Sequence, residues 1–151
     1  MKSLYNAADN QGIIDRINKL NPESKGLWGK MNVAQMLAHA RKPLLAAYGN
    51  EKMSKRGLIS FLFGKMAKKN LITKDQPFSK GLPTDKKFVV VNPESFEKEK
   101  AALIESVKEF AAKGPAAITK EPHGFFGSLS PEEWDKLQFK HLDHHLSQFG
   151  V

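Results

Sequence analysis

The chain has no cysteine. Disulfides, thiolate nucleophiles and cysteine-held zinc or iron–sulfur centres are therefore excluded, and any metal must be held by His, Asp, Glu or backbone oxygen. Freedom from cysteine also fits a cytoplasmic location. Arginine is scarce: Arg16, Arg41 and Arg56 are the only three, so the net charge of +8 comes from lysine. Phosphate and base-edge recognition favours the bidentate arginine fork. A lysine-dominated excess points to solubility and argues against nucleic acid as a partner. The apolar runs 44–48 and 88–91 fall far short of the ~20 residues that cross a bilayer, so no integral membrane segment is expected. Residues 1–16 carry Asn, Asp and Gln where a secretory signal needs an apolar stretch. No Gly-x-Ser-x-Gly elbow and no phosphate-cradling glycine loop occurs, which argues against a serine hydrolase or a nucleotide-binding loop.

What is present is a helical pattern. The 151 residues, 40% hydrophobic and 26% charged, suit one domain spanning 1–151. Leu4, Ile13, Ile14, Ile17 and Leu20 give a first helix over 3–20, closed by Asn21-Pro22. Asn32 caps a second helix over 33–48, with Val33, Met36, Leu37, Ala40, Leu44 and Ala47 as its apolar stripe and Pro43 expected to kink it. Residues 51–92 are irregular, with one or two helical turns after Gly57, an extended stretch at 88–91, and a long crossover marked by Pro77, Gly81 and Pro83. A third main helix is expected over 93–113, with Pro93 in its first turn and Phe96, Leu103, Ile104, Val107 and Phe110 facing inward. Ser130-Pro131-Glu132-Glu133 reads as a capping box that opens the last helix, which ends near Phe149. The expected class is all-α: a four-helix bundle with a long crossover between the second and third main helices.

The last helix carries the chemistry. On a wheel of ~100° per residue, Trp134, Leu137, Gln138, His141, Leu142, His145, Gln148 and Phe149 share one face. Lys136, Lys140, Asp143 and Ser147 lie opposite, and His144 sits at the edge. Two imidazoles on an inward stripe are costly unless their nitrogens find partners. At i, i+4 they are close enough to converge on one ion. Gln138 and Gln148 can orient them from behind. Two histidines do not complete a stable site, so a third ligand must come from elsewhere, either His39 or His123. By periodicity His39 lies on the flank of its helix, where a surface histidine is the ordinary reading. His123 lies in the loop before the last helix.

The stretch Trp28-Gly29-Lys30-Met31-Asn32-Val33-Ala34-Gln35-Met36-Leu37-Ala38-His39 resembles the second-helix signature of the DinB-like (YfiT-like) superfamily of metal-dependent proteins. His141-Leu142-Asp143-His144-His145-Leu146-Ser147-Gln148-Phe149 resembles its closing motif. Together with Phe125-Phe126-Gly127 and Pro131-Glu132-Glu133-Trp134, these resemble the branch known as domain of unknown function 1569. The resemblance implies a four-helix bundle and a metal held by His39, His141 and His145, with His144 and His123 near the pocket. Three histidines leave a fourth position open, and nitrogen ligands suit Zn²⁺ and Ni²⁺ alike. Some superfamily members are thiol transferases. The resemblance therefore implies a metal-dependent transferase or hydrolase acting on a small molecule; the alternative is a non-enzymatic metal- or ligand-binding module.

Segment 57–69 mixes bulky apolar side chains with a basic end. It reads either as a membrane-surface helix or as a crossover piece packed on the bundle mouth or a homodimer surface, the second being favoured. In that reading Phe61 and Phe63 help wall a pocket.

Overall fold

The computed structural model describes residues 2–55 and 57–151; Met1 and Arg56 lie outside them. Among the described residues the fold is all-α, with five α-helices and no strand. Helix α1 (Ala7–Lys19) starts at Asn6, whose side chain accepts from the Ala8 and Asp9 amides. The helix starts four residues later than the pattern from residue 3 suggests: Leu4 is buried ahead of it, in the loop that enters it.

Helix α2 (Val33–Ala47) begins with the expected Asn32 cap, reinforced by Gln35 in a reciprocal capping box. Pro43 lies inside it, buried. Helix α4 (Phe96–Lys113) opens three residues later than Pro93, because Ser95 takes the cap and its hydroxyl accepts from the Lys98 amide. Helix α5 (Pro131–Gln148) has the capping box on Ser130 and Glu133, with Pro131 in the first turn.

The crossover holds more helix than one or two turns. Helix α3 (Leu58–Lys68) spans 11 residues and runs into a π-helical turn, Lys69–Thr73. The extended stretch is in part a 3₁₀ turn, Lys86–Phe88, which packs on α2.

Helices α1 and α2 each pack against both α4 and α5. Ile13, Ile17, Met36, Leu37, Leu44, Leu103, Val107, Phe110, Trp134, Leu142 and Leu146 form the core between them. A second cluster joins Ile72 of the crossover to Leu137 and Phe126. That cluster explains a departure from the wheel. Lys136 and Lys140 were expected to face solvent, yet Lys136 is only 7% exposed. Residues 71–76 lie along this side of α5, where the Lys140 ammonium donates to the Leu71 and Gln76 carbonyls and pairs with Asp75 at 3.0 Å. Helix α5 is therefore covered on two sides.

Polar pins lock the helices in register. The buried Asn10 amide donates to the Leu4 carbonyl at 2.9 Å and the Val107 carbonyl at 3.0 Å, tying α1 to α4. Asp135 accepts from the buried Leu4 amide at 2.7 Å. Arg16 reaches from α1 to Asp143, Ser147 and the Val151 carbonyl. Removing the Asn10 amide takes away both of these buried hydrogen bonds. Asn10→Ala is expected to lower the unfolding free energy by about 2 kcal/mol in urea denaturation. A change within about 0.5 kcal/mol would show the pin to be dispensable.

Candidate metal centre

Three histidines converge from two helices. His39 on α2 and His141 and His145 on α5 each offer a nitrogen, and these atoms all lie within 4.8 Å of one another. The ring centroids of each pair are 4.6 to 5.0 Å apart, with the planes strongly inclined. The His39 and His141 Nε2 atoms are 3.2 Å apart. Two ligands on a tetrahedral ion at ~2.0–2.1 Å from each would stand ~3.3 Å apart, so this spacing suits a shared ion.

The other ring nitrogens decide which lone pairs are free. His39 Nδ1 lies 3.0 Å from the Phe88 carbonyl, an acceptor only, so Nδ1 carries the proton and Nε2 presents a lone pair. His145 Nδ1 lies 2.8 Å from Gln148 Oε1. The Gln148 amide nitrogen donates to the Trp28 carbonyl at 2.8 Å, so its oxygen faces His145 and that ring too is fixed with Nε2 free. The third ring differs. His141 Nδ1 is buried without a hydrogen-bond partner. So are both ends of the Gln138 amide, one helical turn earlier and 1% exposed. Three residues apart on α5, these two unpaired groups match each other chemically. An Nδ1–H to Gln138 Oε1 contact would leave His141 in the same tautomer as its neighbours.

His39 is not on the surface, as its place on the flank of α2 suggested; it is 4% exposed. The reason is tertiary. The Lys86–Phe88 turn crosses over that flank and α5 closes the other side. His123 is not part of the cluster. Its ring stacks near Phe126 and Trp134, and its Nδ1 accepts from the Phe125 and Phe126 amides, so it holds the 123–127 loop closed. His144 is half-buried at the rim. With Trp28, Pro77, Phe78, Lys140, Asp143 and Ser147 it lines a cleft of about 200 Å³ beside the cluster. Phe78 faces both His144 and His141, and the Lys80 ammonium sits 4.4 Å from the Trp28 ring centre. A larger groove of about 370 Å³ runs along residues 22–33, away from the histidines. Phe61 and Phe63 line neither.

Sequence reasoning missed several parts of this arrangement. Phe88 contributes a carbonyl, which carries no sequence signal. Phe78 arrives from the crossover. Gly29 has φ +81°, and a Cβ there would meet the Gln148 amide nitrogen at 2.5 Å. Glycine therefore both permits the backbone turn and makes room for the group that orients His145.

Burial sets the charge state. Desolvation lowers the pKa of His145 and of His123 to about 4, and for His145 the neighbouring His39 adds to the effect. Desolvation also holds His141 well below 6.5, with His145 and His39 next in effect, and it lowers His39. All four rings are thus neutral at pH 7, the state that ligates metal. A histidine whose folded pKa lies below its unfolded value binds more protons when unfolded. In metal-free protein, stability should therefore be full above pH 6.5 and fall as the pH drops from 6.5 towards 4. The slope approaches ~1.4 kcal/mol per pH unit for each histidine. Urea denaturation across that window checks this; a flat profile would contradict burial of neutral rings.

No curated protein and no solved structure matches the chain. A family described as "Protein of unknown function (DUF1569)" matches it over residues 3–150. That match takes in α1 to α5 and all three clustered histidines, and the chain belongs to this family.

Proposed function

We propose that this single-domain cytoplasmic protein is a DinB-like four-helix bundle, built from α1, α2, α4 and α5 with α3 in the crossover. In this reading His39, His141 and His145 hold a divalent ion, Zn²⁺ or Ni²⁺, and the protein is a metal-dependent transferase or hydrolase for a small molecule such as a thiol. One observation carries the metal reading: three neutral imidazoles within ligating distance, two with Nε2 freed by an Nδ1 hydrogen bond. Structural histidines have no need to turn their lone pairs towards each other.

The ligand set suits the ion and leaves it a fourth position. A divalent ion so held would lower the pKa of a water or thiol placed there. The chain's own residues do the rest. Gln148 and the Phe88 carbonyl orient His145 and His39, and Gln138 would do the same for His141. Phe78, Trp28 and His144 wall the cleft through which a small molecule would approach. Lys80, over the Trp28 ring, brings positive charge to that approach, which favours an anionic substrate.

Elemental analysis of protein purified without an affinity tag should find about one Zn or Ni per chain. Adding Zn²⁺ to the metal-free protein at ~100 times Kd should raise its stability by about 2.7 kcal/mol. His39→Ala and His141→Ala should abolish that increase. Metal that stays sub-stoichiometric when Zn²⁺ or Ni²⁺ is added would sink the proposal. The open position has its own test: a small thiol should change the visible spectrum of the Co²⁺-loaded protein, and an unchanged spectrum would argue for a closed, structural site.

The orienting glutamine gives a second prediction. Gln148→Leu releases His145, and Gly29→Ala forces the glutamine aside. Each should weaken Zn²⁺ affinity about 10–100-fold by competition with a chelating dye. Affinity equal to wild type in both would mean that Gln148 does not orient a ligand.

A further inference from the structure

Helix α3 is built inside out. Its small residues Ser60 and Gly64 are buried and Ala67 is partly so. Lys68 fastens its end to Glu133 at 2.8 Å and to the Ser128 carbonyl. Its large apolar residues face away. Leu58, Ile59, Leu62, Phe63 and Met66 lie on one arc of roughly 140°, and together with Phe61 they are between 51% and 75% exposed. A globular helix ordinarily turns such a face inward, and a contiguous exposed apolar patch marks a surface that meets something. Of the crossover piece expected on the bundle mouth or a homodimer surface, only the small side is buried in the chain itself.

The charge around the patch identifies the partner. Residues 52–74 contain seven basic residues and no acidic one. The acids that flank the segment, Glu51 and Asp75, are already paired with Lys42 and Lys140. Lys65 and Lys69, both exposed, border the apolar arc. A second copy docked through α3 would set two such positive segments against each other, on a chain that already carries +8. An anionic lipid surface offers what the helix lacks: negative headgroups for the lysines and an acyl boundary for Leu, Ile, Phe and Met. No helix among the described residues is long and apolar enough to cross a membrane. The geometry is that of a helix lying in the interface plane, sunk roughly 5–10 Å.

We propose that α3 anchors the protein to anionic membrane surfaces through this outward apolar face and its lysine border. The test is co-sedimentation of the purified full chain with phosphatidylcholine vesicles, with and without phosphatidylglycerol. Wild type should bind the phosphatidylglycerol vesicles about tenfold more tightly than neutral ones, and salt should weaken that binding. Leu62→Asn/Phe63→Asn should lose binding by about tenfold or more, with an unchanged thermal midpoint. Leu58→Asn/Met66→Asn, on the same arc, should do likewise and serves if the first variant is unstable. Lys65→Glu/Lys69→Glu should remove the preference for phosphatidylglycerol. Wild type that ignores anionic vesicles, or apolar variants that bind as well as wild type, would overturn the proposal. So would a dimer in analytical ultracentrifugation that Leu62→Asn/Phe63→Asn dissolves, since a second copy would then be the occupant of the face.

Discussion

The hydrogen bonds on the outer nitrogens of the histidines govern what the inner nitrogens can do. A buried imidazole must be neutral, and a neutral imidazole has one donor and one acceptor. The Phe88 carbonyl takes the proton of His39 and Gln148 takes that of His145, so both lone pairs point inward. Phe88 is held there because the Lys86–Phe88 turn lies on α2. Gln148 is held because its amide grips the Trp28 carbonyl and because Gly29 leaves space beside it. Parts of the chain far from the cluster thus converge on one electronic requirement.

That requirement also accounts for the unpaired groups. His141 Nδ1 and the Gln138 amide, one helical turn apart on α5, are both buried and unsatisfied. Unpaired buried polar atoms are rare and call for a reason. Here the reason lies in the third ring: in the arrangement described, His141 Nε2 faces His39 Nε2 and shares the only proton available between them. With an ion held at Nε2, His141 would carry its proton on Nδ1, and the Gln138 oxygen would be an acceptor on the same helix.

Much of this could be read from the residues themselves. Local signals placed the caps of α2 and α5, and the period of α5 put His141 and His145 on the inward face. What failed were features set by distant chain. His39 reads as a flank residue until the 3₁₀ turn covers it. Lys136 reads as solvent-facing until residues 71–76 lie over it, its charge met by Asp75. The start of α4 moved because Ser95 outcompeted Pro93 for the first turn. In α3 the composition was legible but its direction was not: bulky apolar side chains predict a buried face, and only the packing of Ser60 and Gly64 shows that the small side is inward. Periodicity does not separate His39 from His123 as the third member of the cluster; only the family resemblance does.

The decisive question is whether these three rings, and no others, meet at one ion. X-ray absorption at the Zn edge of the Zn²⁺-loaded protein addresses it directly. Three imidazole nitrogens at ~2.0–2.1 Å with the outer-shell scattering of intact rings are expected, plus one further, exchangeable ligand. A spectrum with fewer than three imidazoles, or one unchanged in His39→Ala, would contradict a shared ion.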